Sequence, residues 1–279
     1  MYNKKDYINR GSTFVRNNLF PHSKVLSTLM IYATDLCDSA CKHCLIWAKR
    51  PVNHLSKDKI IEIMNSRCVT KNTVIGLEGG EFLLHPEAHE ILKWFSANHN
   101  NFDLLSNCLK PDNTVEACKL HPPKRLYVSL DGSKETYQGM RGKDGYDSVI
   151  NVIDRLNKTV PISVMFTLSP YNDFEDMRHV AEVCKFYNID MRVGIYNNIA
   201  FFDTIDTAHT TEVGLKKSND VLNFGSVKAK RNEMCQKADN PPLPDKMDFE
   251  KKIPAIIEQF GENHDFLVLY NKWKNKEME

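Results

Sequence analysis

Apolar runs of strand length alternate with amphipathic segments over residues 25–197. Strands that alternate with helices form repeated strand–helix units and a parallel sheet, in which the buried strands are short, apolar and often rich in β-branched residues. Six runs have this character, at residues 25–33, 73–77, 102–106, 125–130, 162–168 and 191–196. The pattern therefore predicts an α/β fold.

The segments between the runs carry helix signals. Ser56 precedes an apolar series at helical spacing, and Pro86 opens a second one. Residues 146–156 and 173–187 have the same periodicity. Because parallel strands are joined by right-handed connections, six such units would curl into a partial (β/α)6 TIM-like barrel with its active residues at the carboxyl ends of the strands.

The strand–helix alternation stops after Tyr196, and the chain becomes polar, with a Pro-rich break at residues 240–244. Residues 247–260 and 264–274 each have a pattern that predicts a helix. We expect three parts, with the last one helical and a candidate cover for the substrate site: an N-terminal extension 1–24, a barrel core 25–198 and a C-terminal extension 199–279.

Composition narrows the function classes. The formal net charge of +1 gives no electrostatic footprint of a nucleic-acid binder, so nucleic acid is not an expected partner. No apolar run has the length of a membrane span, and residues 1–9 lack the apolar core of a signal peptide, so we expect a cytoplasmic protein without a membrane partner. Eight cysteines in such a chain indicate thiolate ligands or buried thiols rather than a disulfide framework.

Three of these thiols, Cys37, Cys41 and Cys44, directly follow the first predicted strand. A [4Fe–4S] cluster normally takes four cysteine ligands, one for each iron, so a set of three with no nearby fourth would leave one iron open for chemistry. The alternative is a structural zinc site with His43 or His54 as the fourth ligand. Zinc sites usually comprise two paired knuckles, however, and no second knuckle follows at the usual distance.

The Cys-x3-Cys-x2-Cys spacing after a first barrel strand resembles the signature of the radical S-adenosylmethionine (radical SAM) superfamily. The resemblance implies two cofactors: a [4Fe–4S] cluster on the three cysteines, and S-adenosylmethionine, which chelates the open iron. In that family an electron from the cluster cleaves S-adenosylmethionine, and the resulting 5′-deoxyadenosyl radical removes a hydrogen atom from the substrate. The residue just before the third cysteine commonly lies beside the adenine, and here it is His43.

The second strand ends in Gly79, Gly80 and Glu81, which resembles the GGE motif that binds the methionine ammonium in that family. Two glycines let the main chain approach a ligand closely, and a carboxylate accepts hydrogen bonds from a cation. A Gly-Gly pair after a strand is also often only a turn. Its place, one strand after the cysteine loop, favours the motif.

Further polar residues follow the later strands. Ser129, Asp131 and Gly132, with Arg141 behind them, resemble a pattern in the branch that includes sulfatase-maturating, peptide-modifying and aminoglycoside-modifying enzymes, where the serine and the arginine bind the cofactor's carboxylate. The alternatives are a β-turn at Asp131 and a solvated side chain at Arg141. We expect five more cofactor-binding residues at strand ends, namely Ser106, Asn107, Thr167, Ser169 and Gly194.

Few cysteines remain for other roles. After Cys118 come Cys184 and Cys235, too few to ligate an auxiliary cluster unaided. Radical epimerases that resemble this branch use a late cysteine to return a hydrogen atom to the substrate, so Cys235 is a candidate for that role, although a lone thiol in a polar segment is often a surface cysteine. We expect the other four to be core thiols: Cys68, Cys108, Cys118 and Cys184.

The predicted function is therefore hydrogen abstraction by a radical SAM enzyme, from a small polar metabolite such as a sugar or aminocyclitol, ending in epimerisation, oxidation or rearrangement. A metabolite is favoured because residues 1–24 leave no room for a leader-binding domain. The alternatives are a peptide-modifying radical SAM enzyme and a non-catalytic iron–sulfur or zinc protein. The resemblance also implies an electron donor such as flavodoxin or ferredoxin. Candidate substrate contacts are Trp47, His54, Glu78, Tyr196, Asn197 and Asn198.

Overall fold

The structure is a computed structural model that describes residues 4–44, 46–48, 51–169 and 171–195. Within these residues it has six β-strands: β1 (Thr28–Thr34), β2 (Val74–Gly79), β3 (Phe102–Ser106), β4 (Arg125–Ser129), β5 (Ile162–Leu168) and β6 (Asp190–Ile195). The same residues form seven α-helices: α1 (Lys4–Leu19), α2 (Lys57–Met64), α3 (Ala88–Asn98), α4 (Pro111–Leu120), α5 (Lys134–Arg141), α6 (Tyr146–Leu156) and α7 (Phe174–Tyr187). Short 3₁₀ turns lie at Ile46–Ala48 and Phe82–Leu84.

The six strands form one sheet in chain order, from β1 at one edge to β6 at the other. All five strand pairs are parallel, which requires a crossover after each strand. Because all six strands run in the same direction, their carboxyl ends share one rim. The predicted partial (β/α)6 barrel is confirmed.

The hydrophobic core lies between the sheet and the helices. Successive strand residues point to opposite faces, so alternate side chains of each strand face the helices. Those of Leu77, Leu104, Val128 and Phe166 are fully buried there, in one cluster with Phe95 of α3. The opposite, concave face is left for the polar side chains that the next subsection describes.

Most predicted helix positions are confirmed, and the local chemistry explains them. The side chain of Ser56 accepts a hydrogen bond from the N–H of Lys59 and caps α2. Asp173 caps α7 in a reciprocal capping box with Asp176. Helix α6 has the predicted bounds, Tyr146–Leu156. The predicted opening at Pro86 lies just ahead of the observed start of α3.

Two predictions about the amino-terminal part need correction. Strand β1 begins at Thr28 rather than at Val25, because the side-chain amide of Asn17 bonds both the N–H and the carbonyl of Val25 at 2.9 Å and takes them from the sheet. Cys68 is not a core thiol: it is half-buried in the turn after α2. Cys108, Cys118 and Cys184 are buried as predicted.

Helix α1 packs through its polar side. Asp6 is buried and pairs with Lys124, just before β4, at 2.6 Å. This helix was not predicted, because its apolar side chains lie on the outer face, where Ile8 and Phe14 are exposed. Within the described residues, no helix combines the length and apolarity needed to cross a membrane. The predicted C-terminal extension lies outside the described residues.

Candidate active site

An open cleft of about 230 Å³ lies at the carboxyl rim of the sheet. Its walls are the loop after β1, the ends of β2 to β5 and the last residue of α5. This cleft brings together most of the predicted cofactor and cluster residues: Cys37, Cys41, His43, Cys44, Gly79, Gly80, Glu81, Ser106, Asn107, Ser129, Arg141 and Thr167. Residues that are far apart in sequence thus form one site.

The three cysteine thiols are free and share one wall of the cleft. The indole N–H of Trp47 donates to the carbonyl oxygens of Cys41 and Cys44, at 3.1 and 2.7 Å, and so stabilises the conformation of the cysteine loop. Burial raises the pKa of the Cys37 thiol to about 12 and also raises the pKa of Cys44. A coordinated metal deprotonates such a thiol outright, so an empty loop would keep neutral thiols and a filled one thiolates.

The carboxyl end of α5 supports the cysteine loop from outside. The N–H groups of Ala40 and Lys42 donate to the carbonyl oxygens of Arg141 and Met140, at 3.0 and 2.8 Å. Gly142 ends the helix with φ +67°, and a Cβ there would lie 2.9 Å from the carbonyl oxygen of Ala40. The unpaired carbonyl groups of a helix end are therefore satisfied by the loop that carries the thiols.

Hydrogen-bonding groups approach all three sulfur atoms, that of Cys44 through the main-chain N–H of Ile46. The hydroxyl of Ser39 lies 3.1 Å from the sulfur of Cys41, and Nη1 of Arg141 lies 3.8 Å from it. The amide Nδ2 of Asn107 lies 3.9 Å from the sulfur of Cys37. Donors around the sulfur atoms are what a cluster with negatively charged thiolates requires, so these residues fit the cluster that the cysteine spacing implies.

Within the described residues, no three His, Cys, Asp or Glu side chains converge as ligands of a single metal ion do. A cubane cluster spreads its thiolates over separate irons, so its ligands converge less closely. His54, a candidate fourth zinc ligand and substrate contact, lies outside the cleft wall, and its Nδ1 is 2.8 Å from the hydroxyl of Thr34. His43 does line the cleft, as does Trp47.

The two glycines at the end of β2 let this strand pack closely against the cysteine loop. Gly80 donates its N–H to the carbonyl oxygen of Thr34 at 2.7 Å, and a Cβ at Gly80 would lie 2.3 Å from the carbonyl oxygen of Leu36. Gly79 has φ +150°, which side chains rarely allow. The glycines therefore serve the fold of the loop as well as the approach of a ligand.

Glu81 joins β2 to the end of β3. Its Oε2 accepts hydrogen bonds from the N–H of Asn107 at 2.7 Å and the hydroxyl of Ser106 at 3.3 Å, and Oε1 accepts one from the N–H of Leu83 at 3.2 Å. Burial raises the pKa of Glu81 to about 7, against the opposing effect of these donors. The carboxylate has lone pairs left for a cation in the cleft.

Arg141 lines the cleft and forms a buried ion pair with Asp131. Arg141 donates from Nε and Nη2 to Oδ2 of Asp131, at 2.6 and 2.5 Å. The N–H of Thr167 donates to Oδ1 of the same carboxylate at 2.7 Å. The Asp131 side chain is fully buried and that of Arg141 is 7% exposed. Asp131 thus holds Arg141 in place rather than facing the cleft itself.

Two other predicted residues also lie outside the cleft wall. The hydroxyl of Ser169 is buried and bonds Oδ1 of Asn172 at 3.2 Å. Gly194 pairs with Thr167 in the sheet, behind the wall. Cys235 and the candidate contacts Tyr196, Asn197 and Asn198 lie outside the described residues.

Five wall residues were not predicted: Ser39 and Ile46 in the loop after β1, and the strand residues Leu105, Tyr127 and Met165, on β3, β4 and β5.

The three strand residues show what could have been found. Each lies one position away from a buried core residue of its strand, so the two-residue period of a strand was the signal that pointed to the concave face. Glu78 occupies the same face of β2 and accepts a hydrogen bond from Tyr32. Burial raises the pKa of Glu78 to about 7.

Comparisons with known proteins agree with this site. The sequence profile of the Radical SAM superfamily matches residues 31–184, more than half of the chain. No match is found among curated proteins.

Three solved structures, of two similar proteins, share the fold. Streptococcus suis SuiB bound to S-adenosylmethionine has a TM-score of 0.57 at 15% identity, covering 78% of this chain and 56% of SuiB. SuiB bound to precursor peptide SuiA has a TM-score of 0.56 at 16% identity, covering 76% and 52%. Methylornithine synthase (PylB) has a TM-score of 0.51 at 13% identity, covering 71% and 61%. The chain spans less than two thirds of the length of each.

The cofactors of the superfamily are a [4Fe–4S] cluster and S-adenosylmethionine, and the cleft offers three free thiols for the first and open space beside a Gly-Gly turn for the second. The family profile extends from β1 into α7 and so includes every element that builds the cleft. This protein belongs to the radical SAM superfamily.

Proposed function

We propose that this protein uses radical SAM chemistry to abstract a hydrogen atom from a small polar metabolite, with Cys37, Cys41 and Cys44 as the cluster ligands. The observation that carries the proposal is that the three thiols share one cleft with Arg141 and the turn at Gly79. When bound, the cofactors supply the reductive cleavage that yields the 5′-deoxyadenosyl radical. The protein binds and orients the cofactors and the substrate, and it shields them from side reactions.

The cleft residues fall into groups that match the parts of S-adenosylmethionine. Gly79, Gly80 and Glu81 would accept hydrogen bonds from the ammonium group. Ser129 and Arg141, which also line the cleft, would donate to the carboxylate. Four further polar wall residues would flank the ribose and adenine, with His43 beside the adenine, namely His43, Ser106, Asn107 and Thr167.

The concave face favours a polar substrate. Glu78 and Tyr32 form a hydrogen-bonded pair on it, and Tyr127 lies two strands away. Groups of this kind bind hydroxyl and amino groups, so a sugar or aminocyclitol fits them better than an apolar molecule. Epimerisation, oxidation or rearrangement would follow hydrogen abstraction.

A peptide is the second candidate substrate, because a solved SuiB structure with a TM-score of 0.56 holds a precursor peptide. The roles of Cys235 as hydrogen donor, of flavodoxin or ferredoxin as electron donor, and a cytoplasmic location stay predictions of the sequence.

Cofactor cleavage tests the proposal. The anaerobically reconstituted protein, reduced with dithionite in the presence of S-adenosylmethionine, should form 5′-deoxyadenosine, which mass spectrometry detects. The triple variant Cys37/Cys41/Cys44→Ala should form none. Absence of 5′-deoxyadenosine from wild-type protein with a complete cluster would overturn the proposal. Polyols, amino sugars and peptides are then tested separately. A substrate should accelerate cofactor cleavage and should either gain deuterium from the solvent or lose hydrogen, so the class of compound that does this distinguishes the two candidates.

A further inference from the structure

We propose that Arg141 is a positioning residue of the iron–sulfur cluster: held by Asp131, its guanidinium places a charged hydrogen-bond donor on the sulfur of Cys41 and thereby raises the cluster's reduction potential. This inference rests on the proposed role of Cys41 as a cluster ligand. It is distinct from the role in carboxylate binding that the motif around Arg141 implies.

The geometry divides the guanidinium into two parts. Nε and Nη2 donate to Oδ2 of Asp131 at 2.6 and 2.5 Å, while Nη1 reaches the sulfur of Cys41 at 3.8 Å. Two donors of one planar guanidinium on a single carboxylate oxygen restrict its orientation, so the direction of Nη1 is set by Asp131. Asp131 is itself fixed by the N–H of Thr167 at 2.7 Å.

The surroundings prevent the guanidinium from turning away. Its side chain is 7% exposed, and its carbon lies 5.6 Å from the ring centre of Tyr137. The main chain of Arg141 is attached to the cysteine loop as well, since its carbonyl oxygen accepts from the N–H of Ala40 and the hydroxyl of Ser39, at 3.0 and 3.1 Å. Both ends of this residue therefore contact the loop that carries Cys41.

Cys41 differs from the other two thiols in the donors around its sulfur. The Arg141 guanidinium approaches it with a charged donor, whereas the side-chain donor near Cys37 is the neutral amide of Asn107. Reduction adds one negative charge to the cluster. A positive donor in a buried site stabilises that added charge, and hydrogen bonds to sulfur and net charge are two of the factors that set the potential.

The two members of the ion pair should thus act in opposite directions. Arg141→Met removes the positive charge and the donor while keeping a side chain of similar length, so the reduction potential should become more negative. Asp131→Asn removes the opposing negative charge while keeping an oxygen for Arg141, so the potential should become less negative. A residue that only supports the fold would not give opposite signs.

The experiment is an anaerobic redox titration of reconstituted holoprotein, monitored by electron paramagnetic resonance without S-adenosylmethionine, so that carboxylate binding does not contribute. Arg125→Met is the matched control, because Arg125 also forms an ion pair, with Asp190 at 2.7 Å, but this pair is only partly buried and lies in a different part of the barrel. Its potential should equal that of wild type. Arg141→Lys keeps the positive charge but loses the planar guanidinium with its several donors. It should give a potential between those of wild type and Arg141→Met.

Unchanged potentials in Arg141→Met and Asp131→Asn, or shifts of the same sign in both, would overturn the inference. If Arg141→Met retains no iron, the pair Arg141→Lys and Asp131→Asn decides by the same criterion of opposite signs. The proposed function fails separately: a wild-type protein with no [4Fe–4S] signal contradicts the cluster itself, whereas a normal wild-type signal with insensitive variants contradicts only the role of Arg141.

Discussion

The hydroxyl of Ser39 donates to the carbonyl oxygen of Arg141 at 3.1 Å, across 102 residues of sequence. This bond joins the loop after β1 to the end of α5, and two main-chain bonds beside it do the same. The site therefore has a long-range support: the thiol loop is held by a helix that belongs to the other half of the barrel. Damage to that helix end should affect the cluster even though no thiol is changed.

Gly142→Ala tests this support. Gly142 has φ +67° and its added Cβ would lie 2.9 Å from the carbonyl oxygen of Ala40, so the variant should lose about 1 kcal/mol of stability and push the cysteine loop outward. We expect less iron per chain after reconstitution, measured by metal and sulfide analysis. Gly139→Ala in the same helix meets no atom within 4 Å and should retain wild-type iron content. Equal iron content in both variants would contradict the supporting role.

Glu78→Gln tests the concave face as the substrate surface. Glu78 lies in the cleft wall with Tyr32 as its hydrogen-bond partner, so it has acceptor capacity left for a substrate group. The amide keeps the shape and loses the charge. For any compound that accelerates 5′-deoxyadenosine formation by wild type, the acceleration should fall by about tenfold to a hundredfold, since hydrogen bonds to charged groups contribute about 1.5–3 kcal/mol.

Cleavage without substrate provides the control for that variant, because Glu78 is not among the residues assigned to the cofactor. The basal rate of 5′-deoxyadenosine formation should stay close to that of wild type. A variant that responds fully to the same compound would remove Glu78 from substrate binding.

How far the sequence predicts this molecule depends on whether a feature is local. The bounds of α6 and the caps Ser56 and Asp173 depend on residues within one or two turns, and all three were predictable. The start of β1 was not, because Asn17 removes Val25 from the sheet through side-chain bonds that no strand pattern contains.

The site shows the same division. The cleft contains Cys37, Cys41 and Cys44 together, as their spacing indicated. The pairing of Asp131 with Arg141 was not predicted, because both belonged to one motif and were expected to contact the cofactor side by side. Only the three-dimensional arrangement shows that one of them orients the other.

Asp103→Asn tests the polar interior of the barrel through its pH dependence. Asp103 is 8% exposed, and its Oδ1 is buried without a hydrogen-bond partner in the described part of the chain. Burial raises its pKa to about 6, against the opposing charges of Lys124 and Arg125. A carboxyl whose pKa is higher in the folded state binds its proton more tightly there. Its contribution to stability therefore falls as the pH rises from about 4 to about 6.

Asparagine has no such proton. Relative to wild type, Asp103→Asn should thus gain stability as the pH rises, by about 1 kcal/mol between pH 5 and 7.5. Anaerobic urea unfolding of both proteins at the two pH values measures this difference. A gain that is the same at both pH values, or that shrinks as the pH rises, would show that Asp103 is not a buried carboxyl with a raised pKa.

The central claim is that three thiols hold a cluster with one open iron, and the electron paramagnetic resonance spectrum of the reduced cluster, recorded with and without S-adenosylmethionine, tests it most directly. Wild-type protein should contain about four irons per chain, as a [4Fe–4S] cluster requires, and its spectrum should change when S-adenosylmethionine is added. Cys68→Ala, which removes a half-buried thiol in the turn after α2, should behave the same, whereas Cys37→Ala, Cys41→Ala and Cys44→Ala should each lose the cluster. A complete cluster whose spectrum does not change when S-adenosylmethionine is added would contradict the account. Zinc in place of iron after anaerobic reconstitution would contradict it as well.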